Sequence, residues 1–291
     1  HVRLTVHFSQ QAKATRVPDL LDVTLTLRPT HRDTIPGWLG RAARALLLHS
    51  IEAARPDLSR ILHDLHGDKP FTASTLLGAP ARELMTLEPN RTVMLRYTSL
   101  SADLTRLMLT AVIPRWQADS IVLHNQPMRV EAAAVETCDY ADLWAAAHDP
   151  AWRSCRITLR FETPTYFKVT GGRAMRLPAP EYVFGKSLLR RWNAFAPCKL
   201  PDTVGAFAAN AVEVEAVRNL HTQRVSFTRA GKNLVTGFVG EVMYGVPAAD
   251  ADLSGAIHAL ARFARFSGIG AQTADGLGQV GVVEVEHRPR S

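Results

Sequence analysis

The order of apolar periodicities along the chain limits the fold more than any other sequence feature. In the first half, a two-residue alternation over Asp22–Arg28 predicts a half-buried strand that ends at Pro29. The stretch Trp38–Arg55 is rich in Ala, Leu and Arg, contains no proline and is bounded by prolines, which predicts a helix. Two further strands and a helix between them complete this half: Val93–Thr98, Leu104–Val112 and Ile121–Val130.

The second half repeats this order of strands and helices. A strand is predicted at Cys155–Phe161, and a helix at Tyr182–Phe195 follows the breakers Pro178 and Pro180. The remaining elements are three strands, a helix and a last strand: Val212–Val217, Arg224–Thr228, Thr236–Tyr244, Leu253–Phe266 and Val280–Val285. Each half approximates a ferredoxin-like unit.

We therefore expect an α+β chain of two tandem ferredoxin-like domains, 1–150 and 151–291, with a glycine-rich loop near the C-terminus. Residues 1–20 are expected to add a strand and a loop of unassigned place. No internal repeat is visible in the sequence itself.

The charge balance favours a polyanionic partner. Lys and Arg total 34 against 27 acidic residues, a formal net charge of +7. Most of the excess is Arg, which holds phosphates bidentately and stacks on unpaired bases, so RNA suits it better than a lipid surface. The sequence has no apolar run of membrane-spanning length and no secretory leader, and we expect a cytoplasmic protein without membrane contact.

The cysteines and histidines predict no metal site and no cofactor. Cys138, Cys155 and Cys198 are far apart and form no CxxC pair, so we expect reduced, mostly buried thiols. His63 and His66 are three apart but have no further ligand nearby in the sequence.

The strongest local signal is a pair of Gly-hydrophobic-Gly motifs, Gly268–Gly270 and Gly276–Gly278, separated by five residues. Glycines at this spacing allow backbone amides to approach a phosphate, because a glycine has no Cβ to clash. A tight connection between a helix and a strand, without any ligand, is the alternative. A dinucleotide fingerprint fits poorly because the loop follows a helix, and a P-loop is excluded because the Gly-Lys-Ser/Thr ending is missing.

This loop resembles the signature loop of the CRISPR repeat-processing endoribonucleases, the Cas-six family of the RAMP superfamily. Other stretches resemble the family in the same order: Leu62–Asp64, Lys69–Ser74, Thr163–Phe167, Leu177–Phe184, Ser187–Asn193 and Gly237–Gly240. Thr163 stands where the family usually has Ser. The resemblance extends from about Asp22 to Val285.

The resemblance implies two RNA-recognition-type domains side by side, with RNA across the cleft between them. It implies cleavage of precursor CRISPR RNA within its repeats by attack of a ribose 2′-OH on the adjacent phosphate, which leaves a 2′,3′-cyclic phosphate and a 5′-OH without a metal. The implied partners are repeat RNA and subunits of a CRISPR effector complex. The protein itself is expected to be a monomer or a homodimer. Two alternatives stay open: a non-catalytic relative that holds the processed hairpin, and a nucleotide-dependent enzyme.

The catalytic candidates follow from the same resemblance. In this family the general acid or base is usually a histidine on or near the first helix, but Arg44 stands at the position where relatives often have it. His49, further along the helix, is therefore the first candidate and His31 the reserve, while Arg44 is expected to steady the phosphate. His49 shares a stripe of alanines, which leaves room for a nucleotide or for a packed helix.

The remaining candidates are expected to contact RNA through the glycine-rich loop and through basic side chains. They are Gly268, Gly270, Gln272, Thr273, Gly276, Gly278, Arg41, Lys168, Arg173, Arg176, Lys186, Arg190 and Arg191. Lys186 and Arg190 are four apart and are expected to project, with Arg191 beside them, from one face of the central helix. Trp192 is interpreted as a core anchor.

Overall fold

The fold is taken from a computed structural model. It describes residues 17–78, 84–148, 155–169, 171, 174–227, 234–248 and 250–287. Most of the segment expected at 1–20 lies outside these residues, as does Arg173.

The first half forms a five-stranded antiparallel sheet of order β3-β5-β1-β7-β6, covered by helices. Its elements are β1 Leu20–Pro29, β2 Asp33–Pro36, α1 Gly40–Ala54, α2 Pro56–Asp64, β3 Phe71–Ala73, β4 Leu84–Leu87, β5 Val93–Ser99, α3 Ala102–Leu107, a π-helical segment Met108–Val112, α4 Ile113–Ala118, β6 Ser120–Leu123 and β7 Gln126–Cys138. Strand β1 is central because it pairs with β5 on one side and β7 on the other, and its alternate apolar residues Val23, Leu25 and Leu27 are fully buried. Strands β2 and β4 form a separate ribbon.

The second half forms a four-stranded antiparallel sheet of order β11-β12-β8-β13. Its elements are α5 Tyr140–Ala147, β8 Cys155–Thr165, β9 Phe167–Lys168, β10 Ala174–Met175, a π-helical segment Glu181–Leu189 continued by α6 Arg190–Phe195, α7 Thr203–Asn210, β11 Glu213–Ser226, β12 Leu234–Gly245, α8 Ala251–Ser267, a 3₁₀ turn Thr273–Asp275 and β13 Val280–His287. We call Glu181–Phe195 the central helix and 268–278 the glycine loop.

In both halves the first strand of the unit lies between the third and the fourth, with a helix before the second and before the fourth. This is the ferredoxin-like order, and the predicted fold class is confirmed. The predicted division near residue 150 stays a prediction, since 149–154 are outside the described residues.

Two strand predictions were wrong in detail. The stretch Ile121–Val130 is not one strand, because His124 and Asn125 both adopt positive φ and form a tight turn between β6 and β7. Conversely, Val212–Val217 and Arg224–Thr228 belong largely to one long strand, β11, whose register shifts between Arg218 and His221. Such a bulge interrupts the alternation of side chains without ending the strand.

Trp192 is a core anchor, as predicted. Its side chain is fully buried, packs edge-on against Tyr140 and Phe263, and donates its indole N–H to the Cys198 carbonyl oxygen at 3.0 Å. The central helix is therefore fixed against α8, and its polar face is turned towards the first half.

A buried ionic contact joins α8 to the first sheet. The Arg96 guanidinium donates to both Asp22 carboxylate oxygens at 2.7–2.8 Å and also to the Arg265 carbonyl oxygen at 2.7 Å. Asp22 also accepts from Arg265 Nε at 2.8 Å, and Thr98 Oγ1 donates to the Phe266 carbonyl oxygen at 2.6 Å. The end of α8, where the glycine loop begins, is thus held on the first half of the chain.

Candidate functional site

A cleft of about 410 Å³ lies where the two halves of the chain meet. Its walls come from α1, from the turn between α2 and β3, from β9, from the central helix and from the glycine loop. The lining residues are Arg44, Gly67, Asp68, Lys69, Phe167, Lys168, Lys186, Ser187, Arg190, Arg191 and Gly270–Asp275. Six of these side chains are cationic and two, Asp68 and Asp275, are anionic, so the cleft favours anions.

The glycine loop is held in place by its own backbone amides. The N–H of Ile269 donates to the Gly278 carbonyl oxygen at 2.9 Å, and the N–H of Ala271 donates to the Tyr166 carbonyl oxygen at 2.9 Å. The N–H of Gly270 donates to Ser187 Oγ at 2.8 Å. These three amides therefore have acceptors within the protein, and the contact of the glycine loop with RNA stays a prediction.

The glycines are required by close packing within the protein. Gly268, Gly270, Gly276 and Gly278 all have positive φ, between 63° and 95°. A Cβ on Gly278 would lie 2.0 Å from the Ile269 carbonyl oxygen, and a Cβ on Gly270 would lie 2.5 Å from the Tyr166 carbonyl oxygen. What the loop presents to the cleft is the segment between the two motifs, 270–275.

Arg44 and Arg190 line the cleft and are paired with its two carboxylates. Arg44 Nη1 lies 3.2 Å from Asp275 Oδ1, and Arg190 donates to Asp68. In both pairs the arginine is the more exposed partner, with 31% and 53% of the side chains accessible, against 13% and 14% for the carboxylates.

Arg191 is buried beneath the cleft. This corrects the prediction that it projects from the exposed face of the central helix, since only 3% of its side chain is accessible. It donates to Thr273 Oγ1 at 2.6 Å and to the Lys69 carbonyl oxygen at 3.2 Å, and Nη1 lies 3.6 Å from Asp68 Oδ1. Burial lowers the pKa of Arg191 to about 10, which nearby Asp68 partly opposes, so the guanidinium stays charged at neutral pH.

Lys69 has a structural role at the end of α2. Its ammonium donates to the carbonyl oxygens of Leu62 at 2.7 Å, His63 at 3.2 Å and Leu65. Burial, followed by the charge of Arg44, lowers the pKa of Lys69. Because an ammonium has three donors, these contacts satisfy all of them and leave no free proton for catalysis.

The structure brings about half of the sequence-predicted site residues into the cleft lining. Those in the lining are Arg44, Lys168, Lys186, Arg190, Arg191, Gly270, Gln272 and Thr273. Those outside it are Arg41, Arg176, His31, His49, Gly268, Gly276 and Gly278. Gly276 instead packs against the start of α1, where its Cβ would lie 3.1 Å from the Gly40 Cα. Arg173 lies outside the described residues.

His49 lies in a separate groove between α1 and α2. Its side chain is 80% exposed, its Nδ1 is 3.7 Å from Glu52 Oε2, and the groove is also lined by Ser59, His63 and Asp64. The alanine stripe is not covered by a packed helix, because Ala45 and Ala53 are exposed like His49, beside the groove that α1 forms with α2.

The other residues outside the lining make local contacts. Arg41 stacks over the Phe227 ring at 4.5 Å, and Arg176 donates to the Thr236 carbonyl oxygen at 3.1 Å. His31 contacts Thr30 Oγ1 at 3.1 Å. None of these contacts extends into the cleft lining.

Sequence reasoning missed the turn 65–69 between α2 and β3 as a wall of the cleft. Gly67, Asp68 and Lys69 line the cleft, and His66, which directly precedes them, is exposed. The sequence signal that could have identified this wall is the run of polar residues His66–Lys69. Among the described residues, no three His, Cys, Asp or Glu side chains come together as a set that could bind a metal.

Thr163, which stands where the family usually has Ser, uses its hydroxyl oxygen as a hydrogen-bond acceptor. Its Oγ1 accepts the N–H of Gln279 at 2.9 Å and so anchors the end of the glycine loop on β8.

In the part of the chain that the structure describes, no helix combines the length and the apolar character needed to cross a bilayer.

Comparisons with known proteins agree with this architecture. Residues 159–280 match the model of the family described as CRISPR-associated endoribonuclease Cas6. A Thermus thermophilus Cas6 in a product complex superposes with a TM-score of 0.75 at 25% identity, covering 91% of this chain and 100% of that chain. A second Cas6 product complex gives a TM-score of 0.69 at 26% identity, covering 91% and 99%.

A Cas6-related protein from Pyrococcus furiosus shares the fold, with a TM-score of 0.61 at 14% identity over 91% of this chain and 99% of that chain. A comparison with curated proteins gives no match. The match of residues 159–280 to the family model and the structural matches over nearly the whole chain show that this chain is similar to the Cas6 endoribonucleases and shares their fold.

Proposed function

We propose that this protein binds precursor CRISPR RNA in the cleft between its two halves and cuts it within a repeat. One observation carries the proposal: cationic side chains from both halves line a single cleft of about 410 Å³ at the glycine loop. The family match supports RNA cleavage as the activity, and matched Cas6 structures are described as product and substrate-mimic complexes.

The reaction is the attack of a ribose 2′-OH on the adjacent phosphorus. The P–O bond to the 5′-oxygen breaks, and the products carry a 2′,3′-cyclic phosphate and a 5′-OH. Because the nucleophile belongs to the substrate, the protein has to hold the 2′-oxygen in line with the leaving 5′-oxygen and to stabilise the negative charge that develops. Arg44, Lys168, Lys186 and Arg190 line the cleft and supply positive charge for both tasks.

Acid–base catalysis at neutral pH is best served by an imidazole. The sequence-based candidate His49 is in the α1–α2 groove, whereas His66 adjoins three cleft residues along the chain and is exposed. We therefore place His66 beside His49 as a candidate and prefer it, because the turn that carries it forms a wall of the cleft.

A second candidate function is repeat binding without cleavage. The observation that favours it is that none of the described residues lining the cleft is a histidine. In that case Arg44, Arg190 and their neighbours hold the phosphate backbone, and the processed RNA stays bound.

The test is cleavage of a CRISPR repeat RNA, taken from an array in the source genome, in excess EDTA. We expect products with a 2′,3′-cyclic phosphate and no cleavage when the nucleotide before the scissile phosphate is 2′-deoxy. Tight binding without cleavage would establish the second candidate. Activity that EDTA abolishes and magnesium restores would contradict the metal-independent route.

Single-turnover rates of three histidine variants decide the acid–base assignment. We expect His66→Ala to lower the rate by roughly two to four orders of magnitude with little change in RNA affinity. His49→Ala and His63→Ala, on the neighbouring groove, serve as matched controls and are expected within a few-fold of wild type. A large loss in His49→Ala alone would restore the sequence-based candidate. Wild-type rates in all three variants would mean that charge stabilisation carries the reaction.

A further inference from the structure

The two ion pairs in the cleft cross it in opposite directions. Arg44 belongs to α1 in the first half and pairs with Asp275 of the glycine loop in the second half. Arg190 belongs to the central helix in the second half and pairs with Asp68 of the α2–β3 turn in the first half. Each half therefore supplies one arginine and one carboxylate, and each arginine is neutralised from the opposite side.

In both pairs the arginine is the partner that reaches solvent. The side chains of Arg44 and Arg190 are 31% and 53% accessible, whereas those of Asp275 and Asp68 are 13% and 14% accessible. A phosphate that enters from solvent therefore meets the guanidiniums before the carboxylates. Ion pairs this exposed contribute little to stability, so a phosphate that binds a guanidinium bidentately competes with them.

Each carboxylate also has a further cation in the cleft lining. Asp68 Oδ1 lies 3.6 Å from Nη1 of the buried Arg191, whose Nε–H has no acceptor among the described residues. Asp275 interacts electrostatically with Lys69, whose pKa it raises against the larger effects of burial and Arg44. When Arg190 turns to a phosphate, Asp68 therefore keeps a cationic neighbour and is not left as an uncompensated half-buried charge.

We propose that Asp68 and Asp275 are specificity residues of the RNA cleft. They hold Arg190 and Arg44 until an RNA backbone brings phosphates to both sides of the cleft and replaces both carboxylates. RNA that reaches only one arginine replaces only one carboxylate. The other ion pair stays closed and contributes no phosphate contact, so such RNA binds weakly. This inference rests on the proposed RNA-binding function and assigns to the carboxylates the rejection of unsuitable RNA.

The test uses Asp68→Asn and Asp275→Asn, with a fluorescent oligouridine RNA of about twenty nucleotides as the unsuitable ligand. We expect each substitution to tighten oligouridine binding by about three- to tenfold at low salt, because each frees one arginine. The slope of log affinity against log salt should steepen by roughly 0.7 for each freed phosphate contact.

Asp119→Asn is the matched control. Asp119 is an exposed carboxylate between α4 and β6, at the sheet edge opposite β3, and its loss changes the net charge equally. If Asp119→Asn tightened binding as much as the cleft variants, bulk charge would explain the effect and the proposal would fail. Unchanged or weaker oligouridine binding by both folded cleft variants would also overturn it.

A double-variant cycle tests whether Asp275 acts through Arg44. In an Arg44→Ala background, Asp275→Asn should give less than a twofold gain, because no guanidinium remains to be released. An undiminished gain would overturn the pairing mechanism. Thermal melting identifies a carboxylate variant that fails to fold, and the other carboxylate variant then decides alone.

The proposed function is tested separately by cleavage of repeat RNA with the wild-type protein. If the wild type cuts the repeat but the carboxylate variants bind oligouridine no more tightly, only the specificity proposal fails. If the wild type neither binds nor cuts repeat RNA, the proposed function fails first.

Discussion

Contacts inside the protein explain why individual positions of the glycine loop require glycine. Gly278 has a φ of 64°, and a Cβ there would lie 2.0 Å from the Ile269 carbonyl oxygen. Gly78 has a comparable φ of 74°, but no atom lies within 4 Å of its Cβ position. The two residues therefore separate the cost of a positive φ from the cost of a clash.

We expect Gly278→Ala to lower the free energy of unfolding by about 3 kcal/mol or more, since strain and overpacking add. Gly78→Ala should cost only about 1–2 kcal/mol, the price of a left-handed conformation for alanine. Urea unfolding of both variants measures the difference. Equal losses of unfolding free energy in the two variants would mean that the loop relaxes around a Cβ. Packing would then not explain Gly278, and RNA contact would be the better explanation of the glycine.

At the scale of elements, α8 is the part that holds the glycine loop over the cleft. Its last turn is tied to β1 and β5 through Asp22, Arg96 and Arg265, and the loop begins one residue after the helix ends. Asp22 is 3% exposed and serves two guanidiniums, whereas Glu136, which also pairs with Arg265, is 59% exposed.

Asp22→Asn should therefore lower the free energy of unfolding by about 3–5 kcal/mol, because Arg96 would be left as a buried, uncompensated charge. Glu136→Gln, which removes an exposed partner of the same arginine, should cost less than about 1 kcal/mol. Chemical denaturation checks both values. A small loss for Asp22→Asn would show that α8 is held mainly by apolar packing.

The elements that sequence predicted well are those with uninterrupted periodicity, such as β1, α1 and α8. Pro56 shows why the site was harder to predict. In the sequence, Pro56 predicts the end of the first helix, but a proline at the first helical position also starts a helix. Helix α2 begins there and folds back beside α1, so the α1 face that carries His49 faces this groove and not the cleft. Spacing along one helix does not reveal which neighbour covers which face.

At the scale of the whole molecule, two ferredoxin-like sheets are joined so that their interface makes the cleft. The family resemblance predicted the two sheets and the cationic character of the site. It did not predict the carboxylates Asp68 and Asp275, because their importance comes from long-range pairing with Arg190 and Arg44 across the cleft. Such pairs join residues 122 and 231 positions apart, and no local pattern reveals them.

The central claim is that repeat RNA lies in this cleft and not in the α1–α2 groove. Photo-crosslinking with 4-thiouridine next to the scissile phosphate, followed by mass spectrometry of the labelled peptides, tests it most directly. We predict crosslinks within 65–69, 167–168, 186–191 and 270–275, the segments that form the cleft walls. Crosslinks concentrated on 45–52 and 59–64, the walls of the groove that holds His49, would contradict the account.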